Sequence, residues 1–199
     1  MAPLQLHEVR IGPTKHIVGI FGSTLSQSIP PMTLLERMQP VTNSAQVTFQ
    51  AVNAAFIASP DHLLFAAMHA LTAFHRGTNR ASTLATEILR FAAAQRQISK
   101  ALDTIGLDAS TQHVGGVLIH TDAAHLKGVY QEFLRLAPAT DTPSVLEIAS
   151  NEKLARIQKL FQITDLELEA ISSTDSFTER TQAVQKLIYD RCALLAISH

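Results

Sequence analysis

"EILRFAAAQRQISKALDTIG", residues Glu87–Gly106, is the stretch on which the fold turns. With Leu84 just ahead of it, Ile88, Phe91, Gln95, Ile98, Leu102 and Ile105 recur at three-and-four spacing, the period of a helix with one apolar stripe. Gly106 is a natural stop. A stripe of that length needs a surface to cover, so the question passes to the flanking chain.

Three short segments there have strand character. "HIVGIFG" (16–22) is rich in branched residues and ends in Gly-Ser-Thr, "AQVTFQAV" (45–52) alternates with Val47, Phe49 and Ala51 inward, and "HVGGVLIHT" (113–121) is apolar between polar ends. Helices separate them. "MTLLERMQ" predicts two turns stopped by Pro40. "SPDHLLFAAMHALTAFHRG" opens with Ser59 as N-cap, Pro60 at the first helical position and Asp61 at the positive dipole end. Leu64, Met68, Leu71 and Phe74 then mark its apolar side, and Gly77 its end. Downstream, "DAAHLKGVYQEFLRL" predicts a helix interrupted at Gly128, "PATDTP" a loop, "SVLEIAS" a strand, and "NEKLARIQKLFQI" a helix with Leu154, Ile157, Leu160 and Phe161 inward. The segment from Thr164 to Arg191 is helical with a polar break near residues 172–176, and "CALLAIS" closes the chain as a strand. Mixed order without repetition predicts an α+β fold: an antiparallel or mixed sheet packed against helices as a two-layer sandwich. Residues 1–199 are expected to form a single domain around one core.

Composition narrows the function. Sixteen Lys and Arg against seventeen Asp and Glu leave a net charge of -1, so no global field holds a polyanion or a membrane to the whole surface. The single cysteine, Cys192, excludes an internal disulfide and a multi-thiolate metal site, and fits a cytoplasmic protein. Glu8, Arg10 and Lys15 interrupt the opening residues, against a secretory leader, and no stretch supplies an apolar membrane span.

Catalytic signatures are missing where they would be sought. His62, His69 and His75 stand seven and six apart, and His120 and His125 five apart, not the three or four that puts two ligands on one helix face. "GIFGST" lacks the lysine of a phosphate loop and the third glycine of a dinucleotide fingerprint. Cys192 lies in an apolar segment with Arg191 as its one near cation, which reads as core packing and not as a low-pKa nucleophile. The expectation is no catalytic residue, cofactor or metal; the rival is a small enzyme using His62, His69 or His120 as general base.

What stands out is charge distribution. Arg76, Arg80, Arg90, Arg96 and Lys100 face only Glu87 and Asp103, a local excess of +3 in a chain whose remainder is -4. Arg96 and Lys100, one turn apart, project together from the side away from the stripe. Taken alone, these charges describe an ordinary wet helix face as well as an anion-binding one.

The residues themselves resemble a family. "AQVTFQAVNAAFIASPDHLLFAAMHALTAF", "NRASTLATEILRF" and "RQISKAL" carry the His62-Leu63 pair, Asn79, Ala81, Leu84, Glu87 and the run Arg96-Gln97-Ile98 with Ala101. With "FQITDLELEA" and "RCALLAIS" further on, the chain resembles the PRPK-binding protein (TPRKB) family, archaeal type, a small subunit of the KEOPS complex. It departs at Ala93-Ala94, where relatives have a Ser-Gly step that breaks the helix and where this sequence lets one helix run on.

The resemblance implies a cytoplasmic, non-catalytic adaptor in the assembly that installs threonylcarbamoyladenosine on tRNA. Its partners would be the PRPK-type kinase/ATPase subunit, the single-stranded 3' CCA end of tRNA and, indirectly, the other KEOPS subunits. Asn79, Arg80, Arg96, Gln97, Ile98 and Lys100 are the expected tRNA-facing group, with cations on phosphates and Gln97 and Ile98 on bases. A protein-only scaffold without RNA contact is the alternative. The alanine-rich helix around Asp61–Phe74 is a candidate surface for the kinase-like partner.

Overall fold

The computed structural model describes residues 3–171 and 176–197. Among them a five-stranded antiparallel sheet is built from β1 (Leu4–Ile11), β2 (Thr14–Leu25), β3 (Thr48–Asn53), β4 (His113–His120) and β5 (Ala139–Asp141). The order is β1-β2-β4-β3, and β5 continues the β1 side by pairing with Ser23, Thr24 and Leu25 at the end of β2. Around it lie α1 (Pro31–Ala45), α2 (Pro60–Arg76), α3 (Leu84–Ala92), α4 (Ile98–Ile105), α5 (Ala123–Leu136), α6 (Asn151–Leu160), α7 (Asp165–Ile171) and α8 (Phe177–Ile197). The fold is α+β, as expected.

Alternation along the central strands sends side chains to both faces, and both are covered. Val18 and Ile20 of β2 and Val117 and Ile119 of β4 face α2, α3 and α4. Phe21 and Leu118 face α1 and α5, where Phe21 packs 4.9 Å from the rings of both Tyr130 and Phe133. The expected two layers are therefore three, helix–sheet–helix, because β2 and β4 are apolar on both sides. The third apolar cluster joins α6, α7 and α8 through Leu154, Ile157, Phe161, Leu168, Val184, Ile188 and Cys192.

Several elements differ from their sequence reading, each for a local reason. The helix read as ending at Pro40 continues to Ala45. Pro40 removes a bond to the Glu36 carbonyl, but both residues are exposed, so water can satisfy it. Gly128 sits in the unbroken helix α5, and "SVLEIAS" forms a 3-10 turn over Pro143–Leu146 in place of a strand. "CALLAIS" is the end of the 21-residue helix α8, with Cys192 and Leu195 inward. On α2 the caps are as expected: the Ser59 Oγ accepts the His62 N–H at 3.1 Å and Gly77 adopts the left-handed conformation. Its core face, however, is Leu63, Ala66, Ala67, Ala70, Leu71 and Ala73, four of them alanines that allow close approach, and Met68 lies outward. The polar break expected near 172–176 falls outside the described residues except for Ser176.

The long stripe is two helices. α3 stops at Ala92 and α4 begins at Ile98. Ala94 takes positive φ (49°), the Gln95 N–H donates to the Arg90 carbonyl at 3.1 Å, and the Ala94 N–H to the Phe91 carbonyl at 2.9 Å. This is a Schellman cap with alanine where glycine is usual. The break turns α4, so that Ala101 and Ile105 are buried while Leu102, expected inside, is 53 % exposed.

Candidate nucleic-acid interface

The break between α3 and α4 forms one wall of an open groove of about 810 Å³. Gln95, Arg96 and Gln97 of the connection and Lys100 on the first turn of α4 line that wall. Leu160, Phe161 and Gln162, at the end of α6, form a second, and Arg191, Leu194, Leu195 and Ile197 of α8 a third. The walls meet by polar bonds as well as packing. The Cys192 thiol donates to the Phe91 carbonyl at 3.1 Å, and the Arg191 guanidinium donates to the Gln162 carbonyl at 3.2 Å and to Glu167 at 2.9 Å.

Two strained turns border the groove. Gln162 has φ 53° and ends α6 in the same way that Ala94 ends α3, with the Ile163 N–H on the Gln158 carbonyl and the Gln162 N–H on the Lys159 carbonyl. Non-glycine residues in this region cost free energy and persist where surrounding structure holds them. Gln95, which sequence placed inside the apolar stripe, lies beyond the helix end and lines the groove.

The chemistry of the lining is mixed. The side chains of Arg96 and Lys100 are exposed and have no ion-pair or hydrogen-bond partner among the described residues. Beside them Leu194 and Ile197 are 58 % and 72 % exposed, apolar surface left open next to unpaired cations. Such a pairing suits a polyanion that also offers flat apolar faces.

The expected site residues separate into two sets. Arg96, Gln97 and Lys100 line the groove, and Ile98 starts α4 immediately beside it, half-buried. Asn79 and Arg80 lie in the α2–α3 loop. Arg80 lines a small cleft of about 40 Å³ with Arg76, Thr78 and Arg90, and the groove and cleft share Leu195. The Asn79 side chain donates to the Ala81 carbonyl at 2.9 Å. The carboxylate of Glu87 is buried and takes the backbone N–H of Ala81 at 2.9 Å and of Arg80 at 3.4 Å. Its ion-pair partner is Arg90, not the Arg80 guanidinium. Burial alone would raise the Glu87 carboxyl, yet Arg90 and these N–H groups hold it below the usual carboxylate range. Arg90 is thus neutralised inside the protein, and the exposed cations of this region are Arg76, Arg80, Arg96 and Lys100.

Sequence missed the walls from α6 and α8. Leu160, Gln162, Arg191, Leu194 and Ile197 reach the groove only through tertiary packing, and no spacing rule joins residue 95 to residue 191. The exposed apolar end of α8 was the one available signal.

The histidines are engaged elsewhere. His62 is fully buried, with Nδ1 accepting the Ala58 N–H at 3.3 Å and Nε2–H donating to the Ala92 carbonyl at 2.9 Å, and burial lowers its pKa to about 4. His69 stacks on Phe91, and the His120 ring packs tilted against that of His125. Among the described residues no group of three or more His, Cys, Asp or Glu could hold a metal ion, and no helix is long and apolar enough to cross a membrane.

Fold and groove define an α+β protein with an open cleft in which cations and apolar side chains lie side by side. The chain belongs to the family of the kinase binding protein CGI-121, whose model matches residues 31–196, in agreement with the resemblance read from its motifs. No curated protein matches the chain.

Proposed function

We propose that the chain is a non-catalytic adaptor of a KEOPS-type tRNA-modifying assembly, binding the PRPK-type kinase/ATPase subunit and holding the 3' CCA end of tRNA in the groove. Membership of a kinase-binding family supports the kinase partner. One observation carries the RNA half: Arg96 and Lys100, unpaired and exposed, stand beside the open apolar side chains Leu194 and Ile197 in one groove. Unstacked bases take the apolar surface and phosphates take the cations. Two cations alone give modest affinity, so the kinase-like subunit and the rest of the assembly must supply further contact. Arg76 and Arg80, across Leu195, extend the basic surface beyond the groove.

The histidine-enzyme reading loses one of its three candidates, because both ring nitrogens of His62 are occupied by backbone groups inside the protein. Capture of tagged chain from its native host tests the proposal: the kinase-like subunit and tRNA are expected together. Recovery of the kinase-like subunit without tRNA would leave the protein-only scaffold.

A further inference from the structure

The helix break that builds the groove is not what the local sequence prefers. Ala93, Ala94 and Gln95 are good helix formers, and Ala94 sits in a conformation that alanine disfavours. An uninterrupted helix would also place Gln95 and Leu102 on the stripe that runs from Leu84 to Ile105. Something outside the segment therefore holds it broken.

The four terminal carbonyls of α3 show where. Leu89 accepts from Ala93, Arg90 from Gln95 and Phe91 from Ala94 within the turn, and the Phe91 carbonyl also takes the Cys192 thiol. Ala92 is different. In a continuing helix its oxygen would accept the Arg96 N–H, four residues on. Here it accepts the Nε2–H of His62 at 2.9 Å, and Ala92 is fully buried, so water is no substitute. His62 is fixed in turn by the Ala58 N–H on Nδ1, which sets the tautomer, and by edge contact with the Phe161 ring at 5.6 Å, itself a groove wall.

We infer that His62 is a positioning residue for the groove: its Nε2–H replaces the Arg96 N–H at the Ala92 carbonyl and thereby keeps α3 from running on into α4. The Arg96 N–H is left without an acceptor among the described residues, and Arg96 and Gln97 stand out at the groove instead of joining a helix face. The importance of this for RNA rests on the function proposed above; the positioning itself does not.

Amide hydrogen exchange by NMR on the whole chain tests it, read at Arg96 and Gln97 with the β2 and β4 amides as internal reference. His62→Phe keeps the ring and lacks the donor, with His62→Leu as a smaller donor-free side chain should the ring not fit. Arg96 exchange is expected to slow about ten-fold or more relative to wild type as the helix extends. Adding Ala94→Gly, which favours the broken form, should restore fast exchange. His62→Gln, which retains a side-chain N–H, should keep the wild-type pattern. Unchanged exchange at Arg96 in a folded donor-free variant, or slowed exchange in His62→Gln, overturns the inference. In parallel, a fluorescent oligonucleotide ending in CCA should bind the donor-free variant about ten-fold more weakly, and Ala94→Gly should restore it. If wild type itself fails to bind that oligonucleotide, the functional reading falls while the exchange data still decide the role of His62.

Discussion

Inside the protein, one turn apart on α3, the Arg90 Nε meets Glu87 Oε2 at 3.0 Å, and the guanidinium lies over the Phe91 ring at 4.5 Å from its centroid. The pair is buried on both sides and ties the α2–α3 loop to α3 through the Ala81 and Arg80 N–H groups. Removing one member strands a charge without water. Glu87→Gln or Arg90→Met alone should each cost about 3–5 kcal/mol in urea unfolding, while the double variant should cost less than the sum of the two. Additive losses would show that the two groups do not act as a pair.

Ala94→Gly should raise stability by roughly 0.5–1 kcal/mol. Glycine removes the left-handed penalty of alanine, offset in part by its greater freedom in the unfolded chain. A shift of the urea midpoint at constant slope is the expected result, and destabilisation would mean that Ala94 makes contacts worth more than its strain.

His62 gives stability a pH dependence of definite sign. Its folded pKa is lowered to about 4 from an ordinary 6.5, so the unfolded chain binds more protons between those values. The stability from the neutral imidazole is complete above the unfolded pKa and is lost as pH falls through the folded one. The contribution is about 3 kcal/mol over that window. Thermal unfolding of wild type and His62→Gln from pH 7 to 4 should show the wild type losing more, and parallel curves would refute it.

Most elements were legible because caps and periodicity agree, as in α2, where Ser59, Pro60 and Gly77 mark both ends. The failures have physical causes. Pro40 reads as a stop because exposure of Glu36 is not visible in sequence. β1 does not read as a strand because its apolar residues change faces between Leu6 and Val9, against the pattern of a half-buried strand. "CALLAIS" is too short for periodicity to separate strand from helix. The groove was half legible: Arg96, Gln97 and Lys100 could be found from charge and resemblance, whereas Arg191, Leu194 and Gln162 arrive only when α6 and α8 pack against the end of α3. The break itself was obscured by alanines, since the hydrogen bond that holds it comes from His62, thirty residues from Ala92.

Fluorescence anisotropy with intact tRNA and with tRNA lacking its CCA end, for wild type and for the Arg96→Glu, Lys100→Glu double variant, measures directly the proposed grip of the groove on the 3' end. The wild type should prefer intact tRNA by about ten-fold or more, and the variant should lose that preference, with a log–log salt slope shallower by about 1.4 for two single-strand phosphate contacts. Equal binding of intact and trimmed tRNA by the wild type, or unchanged binding by the variant, would contradict a role for the groove in holding the 3' end.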